Sequence, residues 1–440
     1  MRARIKPRYV ESPANGLHLE AEADTADGGL SSKRRFGTFQ ALHNRNYRLY
    51  FIGQIISNSG TWMQTVAQSW LVLQLTKSGV DLGLVTAAQF LPILLLSPMA
   101  GVFVDRADKR KLMIVTQSIF SVVAALLGAA VLTHVIMLWM IFVAATAMGL
   151  VNSLDTPARQ SFVIEMVGPK DLTNAVSLNT VVMNSARVIG PSIAGAIIYR
   201  FGVGPNFIAN SISYIAVIVS LLLLRRSELM PSRPTASKKG QLREGLRYVS
   251  ATPRLLIPLL IMVVVGTLAY EFQISLPLLT TLTFHLGVAS YAAITAALGV
   301  GAVFGGLAAA TFARPSMRLL AASAIVFGSL MIVMALMPTF DLALVAAAAT
   351  GFVSIVFVST TNTLLQLTSR AEMRGRVMAL YTVAFLGTTP IGAPLVGLIS
   401  QTFGGRAGII VGGIATIVAG ATGALAMRAS AARNSLKTDN

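Results

Sequence analysis

Two charged side chains stand where charge is expensive. Glu271 and Arg187 lie inside long apolar stretches of the chain. A charge at the centre of a membrane helix costs at least about 2.5–3.5 kcal/mol, so such a group faces a cavity or a partner. Low dielectric disfavours the charged form of a carboxyl, so Glu271, followed by Gln273 and Ser275, is expected to take up and release a proton in coupling rather than sit in a permanent structural pair. Arg187 keeps its proton. It can anchor an anionic substrate group, pair with an acid or fix a helix contact, and the sequence leaves all three open. Gln54, Asn58, Thr61, Thr65 and Gln68 recur every three or four residues and fall on one helical face. With Gln64 and Trp62 close by, that face is expected to line a cavity; bonding between neighbouring helices is the other use of it.

Other chemistries lack their residues. No cysteine is present and the four histidines are scattered, so no metal site, disulfide or cysteine nucleophile is expected. No Gly-x-x-x-x-Gly-Lys-Ser/Thr phosphate loop occurs, and no cofactor is expected. A multispan membrane enzyme, the reading from another functional class, would need clustered polar residues at one depth. His134 and His285 fall at helix ends, and His18 and His43 precede the first apolar segment.

The elements that position these residues are membrane helices. Of 440 residues, 54% are hydrophobic, mean hydropathy is +0.70 and 12% are charged, about half the ~25% usual in soluble domains. Crossing about 30 Å of hydrocarbon takes about 20 helical residues. Twelve segments qualify, at about 46–74, 82–104, 112–133, 135–155, 176–200, 206–224, 255–281, 287–312, 318–338, 341–366, 377–401 and 406–428. Basic residues test the count, because they collect in cytoplasmic loops. With the N-terminus inside, only Lys77, Arg200 and Arg406 fall in outer loops and Arg187 within a span; every other Lys and Arg lies in an inner loop or tail. The net charge of +18 is therefore a topology signal. No basic stripe interleaved with stacking aromatics points to nucleic acid.

The hydrophilic stretch from Arg225 to Pro253 divides the spans six and six. Residues 1–38 read as a disordered cytoplasmic tail, 39–224 as an N-terminal six-helix bundle, 225–253 as a cytoplasmic linker, 254–428 as a C-terminal six-helix bundle and 429–440 as a second cytoplasmic tail. Internal similarity supports two copies: Arg48-Leu49 with Gly60-Thr61 recurs as Arg254-Leu255 with Gly266-Thr267, and Gly190, Gly195, Phe201 and Gly202 recur as Gly392, Gly397, Phe403 and Gly404. Paired halves with a site between them are a common transporter architecture.

Three motifs sharpen this reading. Gly101-x-x-x-Asp105-Arg106, continued through Arg110, resembles motif A of the major facilitator superfamily, with Asp108 where many members have glycine. The resemblance implies that Asp105 locks the outward-facing state against the start of helix eleven, with Arg106 and Arg110 as cationic partners and Asp155 as a further member of the cluster. Arg187, Gly190, Pro191 and Gly195 resemble the antiporter motif of the drug-export branches, with Ala186 and Ala194 replacing two glycines; dense helix packing is the plainer use of these residues. The stretches Phe39 to Arg48, Gly60 to Gln64 and Asp155 to Gln160 resemble the branch that contains the bacterial enterobactin exporter and related macrolide and multidrug exporters. Ala145 and Met148, before Gly149, depart from the Arg and Gln of many drug/proton antiporters, so their proton relay does not transfer.

The expectation is an all-α membrane protein of twelve transmembrane helices in two pseudo-symmetric six-helix bundles, the major facilitator fold. It would sit in the cytoplasmic membrane as a multi-pass monomer with both termini inside, exporting small amphipathic molecules in exchange for protons by alternating access. Uptake or lipid flipping on the same fold is the alternative.

Overall fold

Long helices dominate because apolar runs leave backbone groups no partner but their own chain. The computed structural model describes residues 39–230, 241–311 and 315–438, and among them every regular element is helical. The expected tail 1–38 and part of the expected linker, 231–240, lie outside the described residues.

The first group comprises α1 (Arg45–Thr76), α2 (Gly79–Arg106), α3 (Lys109–Leu132), α4 (Leu138–Phe201) and α5 (Gly204–Leu222). After α6 (Gln241–Ser250) come α7 (Pro253–Leu268), α8 (Phe272–Leu278), α9 (Val288–Thr311), α10 (Met317–Leu336), α11 (Phe340–Thr368), α12 (Arg374–Phe385), α13 (Thr389–Phe403) and α14 (Ala407–Thr438). Side-chain caps mark several starts: Asn44, Ser78 and Asp108 accept from the backbone N–H of Tyr47, Asp81 and Lys111, each satisfying a donor that the helix leaves free. The expected turn at Thr133-His134 is present, with His134 in the left-handed region at φ 57°.

Ten helical segments among the described residues are long and apolar enough to cross a membrane, against the twelve expected. Two features account for the difference. The Gln, Asn, Ser and Thr side chains along α1 dilute its apolar character, and this 32-residue helix is not among the ten. The 64-residue α4 counts once, although Gly168, at φ 69° and ψ 176°, bends it into limbs 138–167 and 169–201. That backbone conformation is nearly exclusive to glycine, and Pro169 starts the second limb without needing its missing N–H. The segment between the expected spans 135–155 and 176–200 is thus helical on both sides of one bend.

Other spans are broken where one helix was expected. The 255–281 segment divides into α7 and α8 and ends in a π-helical turn, Leu279–Thr283; the 377–401 segment divides into α12 and α13. The expected linker contains α6, and α14 runs on through the expected C-terminal tail to Thr438.

In the first group α1 packs on α4 and α5, α2 on α4, and α3 on α5; later in the chain α9 packs on α11, and α10 on α11 and α14. The groups meet along two seams, α2 with α13 and the second limb of α4 with α9. At the first seam a Cβ on Gly79 would lie 2.7 Å from the Gly397 carbonyl oxygen, so both positions need glycine for backbones to touch. Gln401 fastens the same end, accepting from Ser78 Oγ at 3.2 Å and Val80 N–H at 3.1 Å. Toward the opposite end of α2, where the Lys- and Arg-rich loop begins, Met99 and Phe103 are exposed, and a Cβ on Gly101 would meet nothing within 4 Å. Along α2 the groups therefore touch on the far side, while the basic end of this helix is left uncovered.

Candidate functional site

The break between α7 and α8 builds the centre of the molecule. Backbone helicity stops at Ala269 and resumes at Phe272, and the Glu271 carbonyl, at the N-cap of α8, accepts from Ile274 N–H at 3.0 Å and Ser275 N–H at 2.9 Å. Glu271 is 4% exposed, and its Oε1 has no hydrogen-bond partner. Gly392 on α13 makes room for this carboxyl: a Cβ there would stand 3.1 Å from Oε1.

Arg187 approaches from the second limb of α4. Gly190, one turn on, sits against the Trp62 Cβ and the Ser59 carbonyl, which brings α1 close enough for the Arg187 guanidinium to lie 5.2 Å from the centre of the Trp62 ring, a cation–π contact. On the other side a Cβ at Gly299 of α9 would lie 2.8 Å from the Arg187 carbonyl oxygen. Gly195 packs against Ala292 of α9. Among the described residues, Arg187 takes part in no ion pair.

Both charges line one central cavity of about 160 Å³, with Trp62, Phe90, Tyr291 and Phe385 among its walls. Beside it lies a smaller polar cavity of about 30 Å³, which shares Thr65, Thr86 and Gln273 with the first. The sequence singled out Glu271, Arg187 and Trp62. It missed Tyr270, Tyr291 and Phe385, aromatic residues with nothing in their spacing to distinguish them from core.

The polar face of α1 divides between the two uses expected of it. Thr61, Gln64 and Gln68 line the smaller cavity; Gln64 Oε1 also accepts from Asn210 Nδ2 at 2.6 Å, and Gln68 donates to Gln89 at 3.3 Å. Gln54 and Asn58 line neither of these two cavities, contrary to expectation. Asn58 donates to the Gln54 carbonyl at 2.7 Å, and Gln54 Oε1 accepts from Arg159 Nη1 at 3.1 Å. The Gln54 side-chain oxygen is thus taken up by Asn58 and Arg159, while its buried Nε2 has no partner.

On the basic side the expected cluster around Asp105 is not assembled. Arg110 donates instead to the carbonyls of Leu221 at 2.6 Å and Leu222 at 3.2 Å, which the end of α5 leaves without intrahelical partners. Arg106 is exposed and Asp105 half-buried, with no ion pair to either arginine. Asp155, fully buried, belongs to a separate network: it accepts from Thr116 Oγ1 at 2.6 Å and Gln117 Nε2 at 3.0 Å, and pairs with Arg159 one turn along α4. A further pair, Lys109 with Glu165 at 2.6 Å, joins the start of α3 to the α4 bend. The Asp155/Arg159 spacing is visible in the sequence; the separation of 56 positions between Lys109 and Glu165 hides the other pair.

Long apolar helices around a charged, partly aromatic cavity mark a multi-pass membrane protein. Comparison with known proteins identifies the group: the sequence model described as transmembrane secretion effector matches residues 36–439, and the chain belongs to that family, within the major facilitator superfamily. Its fold is the one adopted by solved alternating-access transporters. The staphyloferrin A transporter of Staphylococcus aureus (strain NCTC 8325 / PS 47) is 34% identical over 180 residues, 40% of this chain and 45% of that protein. The multidrug efflux pump Tap of Mycolicibacterium fortuitum is 26% identical over 366 residues, 81% of this chain and 89% of that protein. The chain spans about half the length of the first curated relatives it matches. Among solved structures, a bacterial homologue of the human lysosomal transporter Spinster, in an inward-facing and unoccupied conformation, superposes with a TM-score of 0.72 at 14% identity, covering 87% of this chain and 96% of that one.

Proposed function

We propose that this protein is a proton-coupled exporter of small amphipathic molecules, working as a monomer in the cytoplasmic membrane with both termini inside. In this reading α1 and the two limbs of α4 complete twelve crossings, six on each side of the linker, and the basic side is cytoplasmic, which fits the loop charges. The uncovered basic end of α2 then belongs to the inward-open state. Asp105, unengaged here, acts when the basic ends close. The motif resemblances support membership of the branch with the enterobactin and multidrug exporters.

The observation that carries the proposal is the Glu271 carboxyl: buried in a helix break, with Oε1 unpartnered, and facing a mostly apolar cavity. Intramembrane acids of this kind serve proton pathways. In proteoliposomes carrying an imposed proton gradient, Glu271→Gln is expected to abolish gradient-driven flux while the protein still elutes as a single folded species. Gradient-driven flux that survives in Glu271→Gln would reject the assignment, and substrate accumulation in expressing cells would reverse the direction.

A further inference from the structure

Two opposite charges face the central cavity, and neither is neutralised by the other. Arg187 comes from α4 and Glu271 from the α7–α8 break, on different helix groups. No ion pair among the described residues includes either. Glu271 Oε1 is buried without a hydrogen-bond partner, and the Arg187 guanidinium rests on the Trp62 ring. If these charges served packing alone, a direct pair would be the lower-energy arrangement, because a buried charge without compensation is strongly destabilising. They are instead held apart across a space with aromatic and aliphatic walls.

We propose that Arg187 and Glu271 are the two poles of one binding site for zwitterionic amphiphiles. The anionic group of the ligand meets the Arg187 guanidinium, whose planar fork suits a carboxylate. The cationic group meets the Glu271 carboxylate, and the apolar body lies against Phe90, Leu298 and Phe385. This deepens the exporter reading and rests on it for the direction of coupling. The charged and titratable groups facing the cavity are Arg187, Tyr270, Glu271 and Tyr291. A purely anionic ligand would bind more tightly once Glu271 is protonated and would travel with the proton. A purely cationic one would be repelled by Arg187. A zwitterion uses both poles, and a proton arriving on Glu271 displaces its cationic end, which is the sign that exchange requires.

The test uses the full chain in lipid nanodiscs and three radiolabelled probes with the same octyl tail: N-octyl-N,N-dimethylglycine, octyltrimethylammonium and nonanoate, with binding to empty nanodiscs subtracted. The zwitterion is expected to bind about tenfold or more tightly than either singly charged probe, the scale of one charge-assisted hydrogen bond. Arg187→Gln should erase the preference over the cation and Glu271→Gln the preference over the anion, while Arg187→Lys keeps part of the former. Native protein that binds cation and zwitterion equally, or a preference over the cation that persists in Arg187→Gln, would overturn the proposal. If Arg187→Gln does not fold, the native ranking of the three probes decides. Zwitterion flux that ignores a proton gradient, with that ranking intact, overturns the exporter coupling and leaves the two-pole site standing.

Discussion

Asp155 shows how much one buried carboxylate organises. It collects a hydroxyl from Thr116, an amide from Gln117 and the guanidinium of Arg159, so α3 and α4 meet at its two oxygen atoms, and α1 joins them through the Arg159–Gln54 bond. The two partners are not equivalent. Asp155→Ala strands a half-buried guanidinium together with two donors, whereas Arg159→Ala leaves the carboxylate two of its hydrogen bonds. Breaking a buried pair costs about 3–5 kcal/mol. Asp155→Ala should lower the thermal midpoint in detergent substantially more than Arg159→Ala does, and the double variant should recover part of the loss. Equal midpoints for the two single variants would show that Arg159 is solvated independently of its partner. At this scale the sequence is legible where a charge interrupts an apolar run, as at Glu271, Arg187 and Asp155. It is illegible where a side chain spends its hydrogen bonds on backbone far along the chain: the destination of Arg110, a carbonyl 111 residues on, leaves no mark in local spacing.

Helix breaks set the geometry of the elements. Gly168 is the joint of α4, and its φ of 69° with an extended ψ is tolerated by few residues with a side chain. Gly168→Ala should cost about 1–3 kcal/mol through backbone strain, read as a drop in thermal midpoint. Met230, whose Sδ would lie 3.0 Å from a Cβ there, can swing aside, and pairing the substitution with Met230→Ala should not restore the loss if strain is its source. The Gly168-Pro169 break has both residues that signal one. The α12–α13 break likewise has Gly387 and Pro390 nearby. Neither break stands out in the sequence, because turn residues within apolar segments are common in membrane helices. The α7–α8 break has no glycine or proline at Ala269 to Glu271, and only the polar residues that follow hint at its purpose.

At the scale of the whole molecule, the hydropathy train and the loop charges carry the all-helical membrane fold, while the packing of one helix group on the other is visible only in the structure. The far-side closure between α2 and α13 makes a direct test of alternating access, and the natural absence of cysteine provides a clean background. Ser78→Cys with Gln401→Cys, joined by a short bis-methanethiosulfonate, should hold the basic-side-open form, abolish net transport and release it on reduction. Transport that continues through the cross-link would show that this seam need not part in each cycle.

The glycine contact at that seam has a kinetic consequence. Where Gly79 meets Gly397 there is no charge to resolvate, so unlatching there loses only backbone dispersion, the packing of Leu278 and the bonds of one glutamine. The rate of that step should be indifferent to ionic strength. Salt and anionic headgroups should act on the other half of the turnover, where the arginines and lysines gather.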